Sequence, residues 1–335
     1  MMCCFLMSCD SEKKQQFFGT TQGSYYSITY YDKENRDFGR EFDSVFVEIE
    51  KTLSLWDENS MIRKVNHNDT TVVLNQIFID NFNYAMRAAE LSDGYFDPTV
   101  GPLVAAWGFH YKEGMTMTPE IVDSLRQMVG YKKVKIEDGR VVKENPNMTL
   151  DFNAVAQGYT TDMIGEFLLS KGVNNFLVDV GGEIMARGNK PNGDLWKVGI
   201  EKPAENKDAA RIVQEIVELK DKSIVTSGNY RKYVEQDGKR YSHSLNPMTG
   251  YPSENNLLSA TIICDNTAWA DCFASICMLV GMEKAIEIIE TQDDVEAFFI
   301  YEEDGEVKMQ RLRDSETQRL KDTVTNCPIQ SNNHQ

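Results

Sequence analysis

The 7 cysteines include no Cys-x-x-Cys pair, so zinc ribbons and thioredoxin-type redox sites lack the spacing they need. No apolar run approaches the ~20 residues of a bilayer-spanning helix. Positive charge is scarce as well: 35 Lys and Arg stand against 52 Asp and Glu, a net charge of −17. That balance repels a phosphate backbone, and no basic stripe offsets it, which argues against a nucleic-acid binder. Any phosphate-bearing ligand would need a metal ion or backbone N–H groups to be tolerated. The chain has no Gly-Lys-Ser/Thr loop, no Gly-x-Gly-x-x-Gly fingerprint and no Gly-x-Ser-x-Gly elbow, which removes the common phosphate-loop, dinucleotide and acyl-transfer signatures. Repeats, low-complexity blocks and proline-rich linkers are missing too.

What remains is a chain of 335 residues, 41% hydrophobic and 10% aromatic, which is the composition of a packed globule. Tyr25 to Tyr31 reads as a strand. Phe42, Val45, Phe46, Ile49 and Leu53 recur at helical spacing, and a second helix runs from about Gln76 to Leu91. Tyr95 to Leu103 contains two prolines and a glycine, so it is expected to be a broken, pocket-lining loop. Met148 to Phe152 reads as a strand that enters a helix at about Tyr159. Phe176 to Ala186, Tyr233 to Tyr241 and the Asp304-Gly305 pair read as hairpins. Leu258 to Cys264 is an apolar strand, followed by helices over Thr267–Val280 and Glu283–Glu290. Cys264, Cys272 and Cys277 sit among apolar residues and are expected to be buried free thiols. The fold class is α+β: one domain of mixed strands, hairpins and flanking helices over 17–314. Residues 1–16 read as a signal remnant with a polar spacer, and 315–335 as a polar tail.

Three constellations could carry chemistry. Asp271 and Ser275 are four apart, so a helix points both the same way. A carboxylate with a hydroxyl suits a hard cation such as Mg²⁺, and the start of a helix would add to the anion-binding field; such residues are also ordinary helix caps. Asp151 to Asp162 runs from a strand end through small residues and Gly158 into a helix, which is either a binding turn or a plain connector. His243 leaves a hairpin strand just before the Pro247-Met248-Thr249-Gly250 turn, a common place for functional side chains. At the start of the chain, Leu6-Met7-Ser8-Cys9 resembles a bacterial lipobox, in which the cysteine is lipidated after cleavage.

Taken in order, several motifs resemble the ApbE family, the FAD:protein FMN transferases. They are Gly19-x-Thr21-x-Gly23-Ser24, Phe96 to Leu103 with Trp107-Gly108-Phe109, Asp151 to Asp162, and Val180-Gly181-Gly182-Glu183. Thr226-Ser227-Gly228, Ser242-His243 with Pro247-x-Thr249-Gly250, and Ala270-Asp271 to Ser275 complete the set. The resemblance implies an ApbE-like fold and Mg²⁺-dependent transfer of the FMN half of FAD onto a threonine hydroxyl of an acceptor protein, such as a membrane redox-complex subunit, with release of AMP. It implies metal ligation by the side chains of Asp271 and Ser275 and the backbone oxygens of Ala154 and Ala274. FAD contacts would come from Gln22, Trp56, Tyr95, Phe96, Asp97, Asp151, Gln157 and Leu245, and His243 would stand beside the reacting phosphate. Trp56, Tyr95 and Phe96 would offer stackable surface to ring systems.

The chain departs from the family at Gln22, where Met is common; at Gln157, where Lys or Glu is common; and at Ser275, where Thr is common. Serine keeps the hydroxyl, whereas Gln157 brings no charge. Two other readings use the same residues: an Mg²⁺-dependent FAD pyrophosphatase releasing FMN and AMP, and a non-catalytic exported flavin-binding protein. The lipobox-like start implies that the mature chain would stand on the periplasmic side of the inner membrane, anchored through Cys9.

Overall fold

The structure is a computed structural model that describes residues 12–109, 114–203, 212–229 and 244–313, with the backbone of two short strands within 233–242. The hairpin β1 (Lys13–Thr21) and β2 (Ser24–Asp32) leads into α1 (Gly39–Leu53), α2 (Met61–Asn66) and α3 (Gln76–Leu91). Next come α4 (Gly101–Ala106), α5 (Pro119–Arg126), the small hairpin β3 (Val134–Glu137) and β4 (Arg140–Lys143), and α6 (Ala156–Ser170). Hairpins β5 (Asn175–Val180) with β6 (Glu183–Arg187) and β7 (Trp196–Glu201) with β8 (Val213–Leu219) precede β9 (Lys222–Gly228). The short pair β10 (Tyr233–Gln236) and β11 (Lys239–Ser242), then β12 (Leu257–Cys264), α7 (Thr267–Val280), α8 (Met282–Glu290), β13 (Glu296–Glu303) and β14 (Glu306–Leu312) complete the order.

Eight strands form one antiparallel sheet in the order β1-β2-β5-β6-β9-β12-β13-β14. Alternation along each strand sends side chains to two different cores. Val225, Ala260, Ile262, Ala297 and Phe299 pack under the helical layer, with α7 residues such as Cys272 and Ile276. Ile224, Ile263, Phe298 and Ile300 face the opposite way and are covered by Trp196, Val198, Val217 and Leu219 of the β7–β8 hairpin. The β12 register shifts between Leu257 and Ser259. That bulge reverses the parity of the strand, so Leu257 joins the helix-side core although the later even-numbered residues do too.

The helices follow from their sequence patterns. In α1, Phe42, Phe46, Ile49 and Leu53 are the buried stripe. The Asn75 side chain accepts the Phe78 N–H at 2.9 Å and starts α3, and Asn266 accepts the Trp269 N–H at 2.9 Å at the start of α7. Cys264, Cys272 and Cys277 are buried free thiols, and burial pushes the Cys264 thiol up to about 12.

Several expectations need correction. Gly101 to Leu103 was expected to be non-helical but opens α4, because Pro102 sits in the first turn, where its missing N–H costs nothing. Met148 to Phe152 is no strand: Thr149 makes a single parallel bridge to Val100. Lys13 to Gln16, placed by the sequence in the polar spacer, are the first residues of β1. A lysine- and glutamine-rich strand looks like a spacer when it lies at a sheet edge, as β1 does among the described residues. Residues 1–11 and 314–335, with the signal and tail expectations that fall on them, lie outside the described residues.

Candidate active site

The motifs, scattered along the sequence, meet pairwise around the first turns of α6. The β1–β2 turn carries Gln22, whose Nε2 donates to Thr160 Oγ1 at 2.7 Å. Thr161 Oγ1 donates to the Glu183 carbonyl at 3.0 Å, which joins α6 to the Gly181-Gly182 turn. Gly181 has φ +72, and a Cβ there would lie 2.3 Å from Gln157 Nε2. Glycine suits that left-handed conformation, and its missing Cβ lets the Gln157 amide lie close against the turn. From α7, Asp271 turns its carboxylate towards α6, and Oδ2 accepts the Gly158 N–H at 3.4 Å.

The contact between α6 and α7 is unusually close at Gly158. A Cβ there would meet the Thr267 carbonyl oxygen at 2.5 Å and Ala268 Cα at 2.9 Å. Four residues on, Asp162 accepts the N–H groups of Thr267 at 2.9 Å and Ala268 at 2.8 Å. Burial lifts the Asp162 carboxyl to about 6, while those two N–H bonds pull it the other way. This changes the picture of α7. Asp271 and Ser275 are not its caps, and its N-terminus is not an open anion site, because Asn266 and Asp162 occupy its first N–H groups. Asp162 was missed as an individual residue; its i, i+4 relation to Gly158 was the available signal.

Asp271 is 5% exposed and Ser275 is half-buried one turn further along. Ala154 lies just before α6, whose hydrogen-bond ladder begins at the Val155 carbonyl, the acceptor of the Tyr159 N–H at 2.9 Å. The Ala154 carbonyl therefore stands outside the ladder, whereas Ala274 is buried within α7. Among the described residues no group of three or more His, Cys, Asp or Glu assembles a metal cage. One carboxylate, one hydroxyl and backbone oxygens form a hard, weakly charged donor set. It fits Mg²⁺, which is bound through few protein ligands and completed by water and phosphate.

The second half of the site is a loop system. Asp97 Oδ1 accepts the Thr99 N–H and Oγ1–H, and Oδ2 accepts the Tyr131 N–H, at 2.6–2.8 Å. Burial raises its carboxyl above the usual carboxylate range. Asp151 donates its N–H to the Pro98 carbonyl at 2.8 Å, and its Oδ1 accepts the Asn153 N–H at 2.8 Å. Trp107 Nε1 donates to the Gly250 carbonyl at 2.9 Å, tying the Trp-Gly-Phe motif to the Pro-x-Thr-Gly turn. A hollow of about 450 Å³ opens beside Asp97, between Gly94, Tyr131, Arg126 and Met248.

Aromatic surface is less available than the sequence suggested. Phe96 is in the main core and offers no stacking face. Tyr95 is half-buried with the Lys284 ammonium 4.6 Å from its ring centre, and Trp56 is 58% exposed. Leu245 packs its side chain against Leu103, Trp107 and Val129, so contact with a ligand would fall to its backbone. His243 lies outside the described residues.

Comparison with known proteins bears on the fold as a whole. The ApbE family model matches residues 22–299. A Vibrio cholerae protein named FAD:protein FMN transferase is 31% identical over 309 residues, covering 90% of this chain and 92% of its own. A Salmonella typhimurium protein of the same name is 33% identical over 259 residues, 75% of this chain and 73% of its own. Among solved structures, the flavin transferase ApbE from Vibrio cholerae superposes with a TM-score of 0.80 at 29% identity, covering 90% of this chain and 97% of that one. The apo flavinyl transferase ApbE of Pseudomonas stutzeri gives 0.78 at 30% identity, with coverage of 92% and 96%. With the match extending over most of the sequence and the α+β architecture shared, the chain belongs to the ApbE family.

Proposed function

We propose that this chain is an FAD:protein FMN transferase that moves FMN from FAD onto a threonine hydroxyl of an acceptor protein, with Mg²⁺, and releases AMP. The observation that carries the reading is the crossing of α6 and α7, where Asp271 accepts the Gly158 N–H and Ser275 follows one turn along α7. Asp271, Ser275 and the backbone oxygens of Ala154 and Ala274 would hold the ion. Bound there, Mg²⁺ supplies charge neutralisation for the pyrophosphate, which resolves the conflict between an acidic protein and an anionic substrate.

The remaining work belongs to the chain. The Asp97–Asp151 loops and the rings of Trp56 and Tyr95 orient the dinucleotide. The acceptor threonine oxygen forms a bond to the flavin-side phosphorus as the bond to the AMP phosphate breaks, in line. The hydroxyl proton passes to a base, the role assigned to His243, and AMP carries away the electron pair. Gln157, packed over Gly181, contributes polar contact but no charge. The reading is tested by incubating the protein with FAD, Mg²⁺ and a candidate acceptor. Covalent flavin fluorescence on the acceptor, lost with EDTA, is the expected result. Free FMN alone would favour the pyrophosphatase, and intact FAD the non-catalytic binder. His243→Ala is expected to slow transfer by about 10²–10³-fold with FAD affinity little changed. Equal losses in both would make it a binding residue.

The same proposal places the enzyme on the periplasmic face of the inner membrane through lipidated Cys9. Because β1 begins at Lys13, three residues separate Cys9 from the sheet, a reach of about 10 Å when extended. Cys9→Ala is expected to move the protein from the membrane to the soluble fraction of its host. Wild-type protein already wholly soluble, with unmodified Cys9, would end this idea.

A further inference from the structure

The family resemblance gives Asp162 no role, yet it makes two of the contacts that hold the site's two helices together. From α6 its oxygens take the Thr267 and Ala268 N–H groups, the first two of α7, at 2.9 and 2.8 Å. One turn earlier on α6, the Gly158 N–H donates to Asp271, which α7 carries. Two carboxylates therefore tie the helices in opposite senses, one through the Gly158 N–H itself and one through the Thr267 and Ala268 backbone that Gly158 abuts. Asp162 is 5% exposed, so water does not substitute readily for either bond. On α7, Thr267, Asp271 and Ser275 follow at four-residue steps, so whatever fixes the first turn fixes the next two.

We propose that Asp162 is a positioning residue of the metal site. By seating the first turn of α7 on α6, it sets where Asp271 and Ser275 stand relative to the Ala154 carbonyl. This rests on the assignment of the ion to that crossing. Mg²⁺ demands near-ideal octahedral geometry and short bonds. Donors carried by two different helices meet that demand only if the helices keep one register. A shift too small to unfold the protein is enough to weaken the ion's hold.

The test uses the full chain and reads Mn²⁺ binding by EPR in the presence of ADP, a pyrophosphate with no flavin to transfer. Asp162→Asn keeps one acceptor but turns an amide N–H₂ towards the Ala268 N–H. It is expected to weaken Mn²⁺ binding roughly 10- to 100-fold, the range for groups that orient metal ligands. Asp162→Glu keeps the charge and displaces the tie by a methylene, and a comparable loss is expected, which covers the case of an insoluble Asn variant. Val217→Ala, in the core on the far face of the sheet, lowers the melting temperature and should leave the Mn²⁺ midpoint in place. Asp162 variants that melt early but bind Mn²⁺ at wild-type concentrations overturn the proposal, since a plain helix cap behaves that way. Wild-type protein that binds no Mn²⁺ with ADP removes the metal assignment itself, and the proposal with it.

Discussion

Asp271→Asn loses Mg²⁺-dependent flavin transfer while remaining folded. Asp271 is the only anionic protein group assigned to the ion, and the other donors are a hydroxyl and backbone oxygens. Neutral donors alone hold Mg²⁺ weakly, because the ion gives up its water reluctantly. Losing the charge removes several kcal/mol of electrostatic support, so transfer should fall by roughly 10²–10³-fold at ordinary Mg²⁺. Stability should change little, because asparagine keeps the size of the side chain and an oxygen that can still accept the Gly158 N–H, a bond that is long at 3.4 Å. A melting temperature within about 3 °C of wild type is expected. Ser275→Ala should be milder, since water can take the place of one neutral donor. The measurement is a Mg²⁺ titration of transfer for both variants beside thermal melts. Near-normal transfer by Asp271→Asn would take Asp271 out of the metal site.

Gly158→Ala should be damaging although alanine is the better helix former. Alanine gains about 1 kcal/mol over glycine within a helix. Against that, the new Cβ would stand 2.5 Å from the Thr267 carbonyl oxygen, nearly an ångström inside ordinary contact. The neighbour is backbone, so no side chain can rotate away and the helices must part. Overpacking of this kind costs about 1–3 kcal/mol. Parting also separates Asp271 from the Ala154 segment, so transfer should fall by more than the loss of stability explains. Gly165→Ala is the internal comparison. Two turns further along α6, its Cβ would meet Met185 Sδ at 2.3 Å, the far end of a flexible thioether that can swing aside. Urea denaturation and the Mg²⁺ midpoint, measured for both, should separate them. Equal effects of the two substitutions would mean that Gly158 has no special place in the crossing.

The longest patterns were legible without a structure. The helices Gln76–Leu91 and Thr267–Val280 appear with the bounds read from the sequence, because a full apolar stripe or a capped, Ala- and Cys-rich run admits little else. The hairpins at Gly181-Gly182 and Asp304-Gly305 were equally plain, since positive-φ turn residues leave a signature. The β7–β8 hairpin was not. Its alternation is ordinary, and only the packing of Trp196 and Val217 on the sheet's outer face gives it a place. Pro102 misled in the opposite direction, being a breaker within a helix but a favoured residue in its first turn.

For the site, residue type and order determined the family and the α+β class and proposed Asp271, Ser275, Gln157 and Asp151 as one set, because chemistry needs particular side chains wherever they sit in the chain. The tertiary structure decided which of them touch. Gln22 reaches Thr160 across 138 positions and Asp162 reaches Thr267 across 105, distances over which no local periodicity carries information. It also took Phe96 into the core and gave Leu245 a packing role, since burial depends on what the rest of the fold lays over a residue. Asp162 shows the difference most clearly. In the sequence it closes a motif; in the fold its two oxygens accept the Thr267 and Ala268 N–H groups at the start of α7, which no residue near it in sequence could supply.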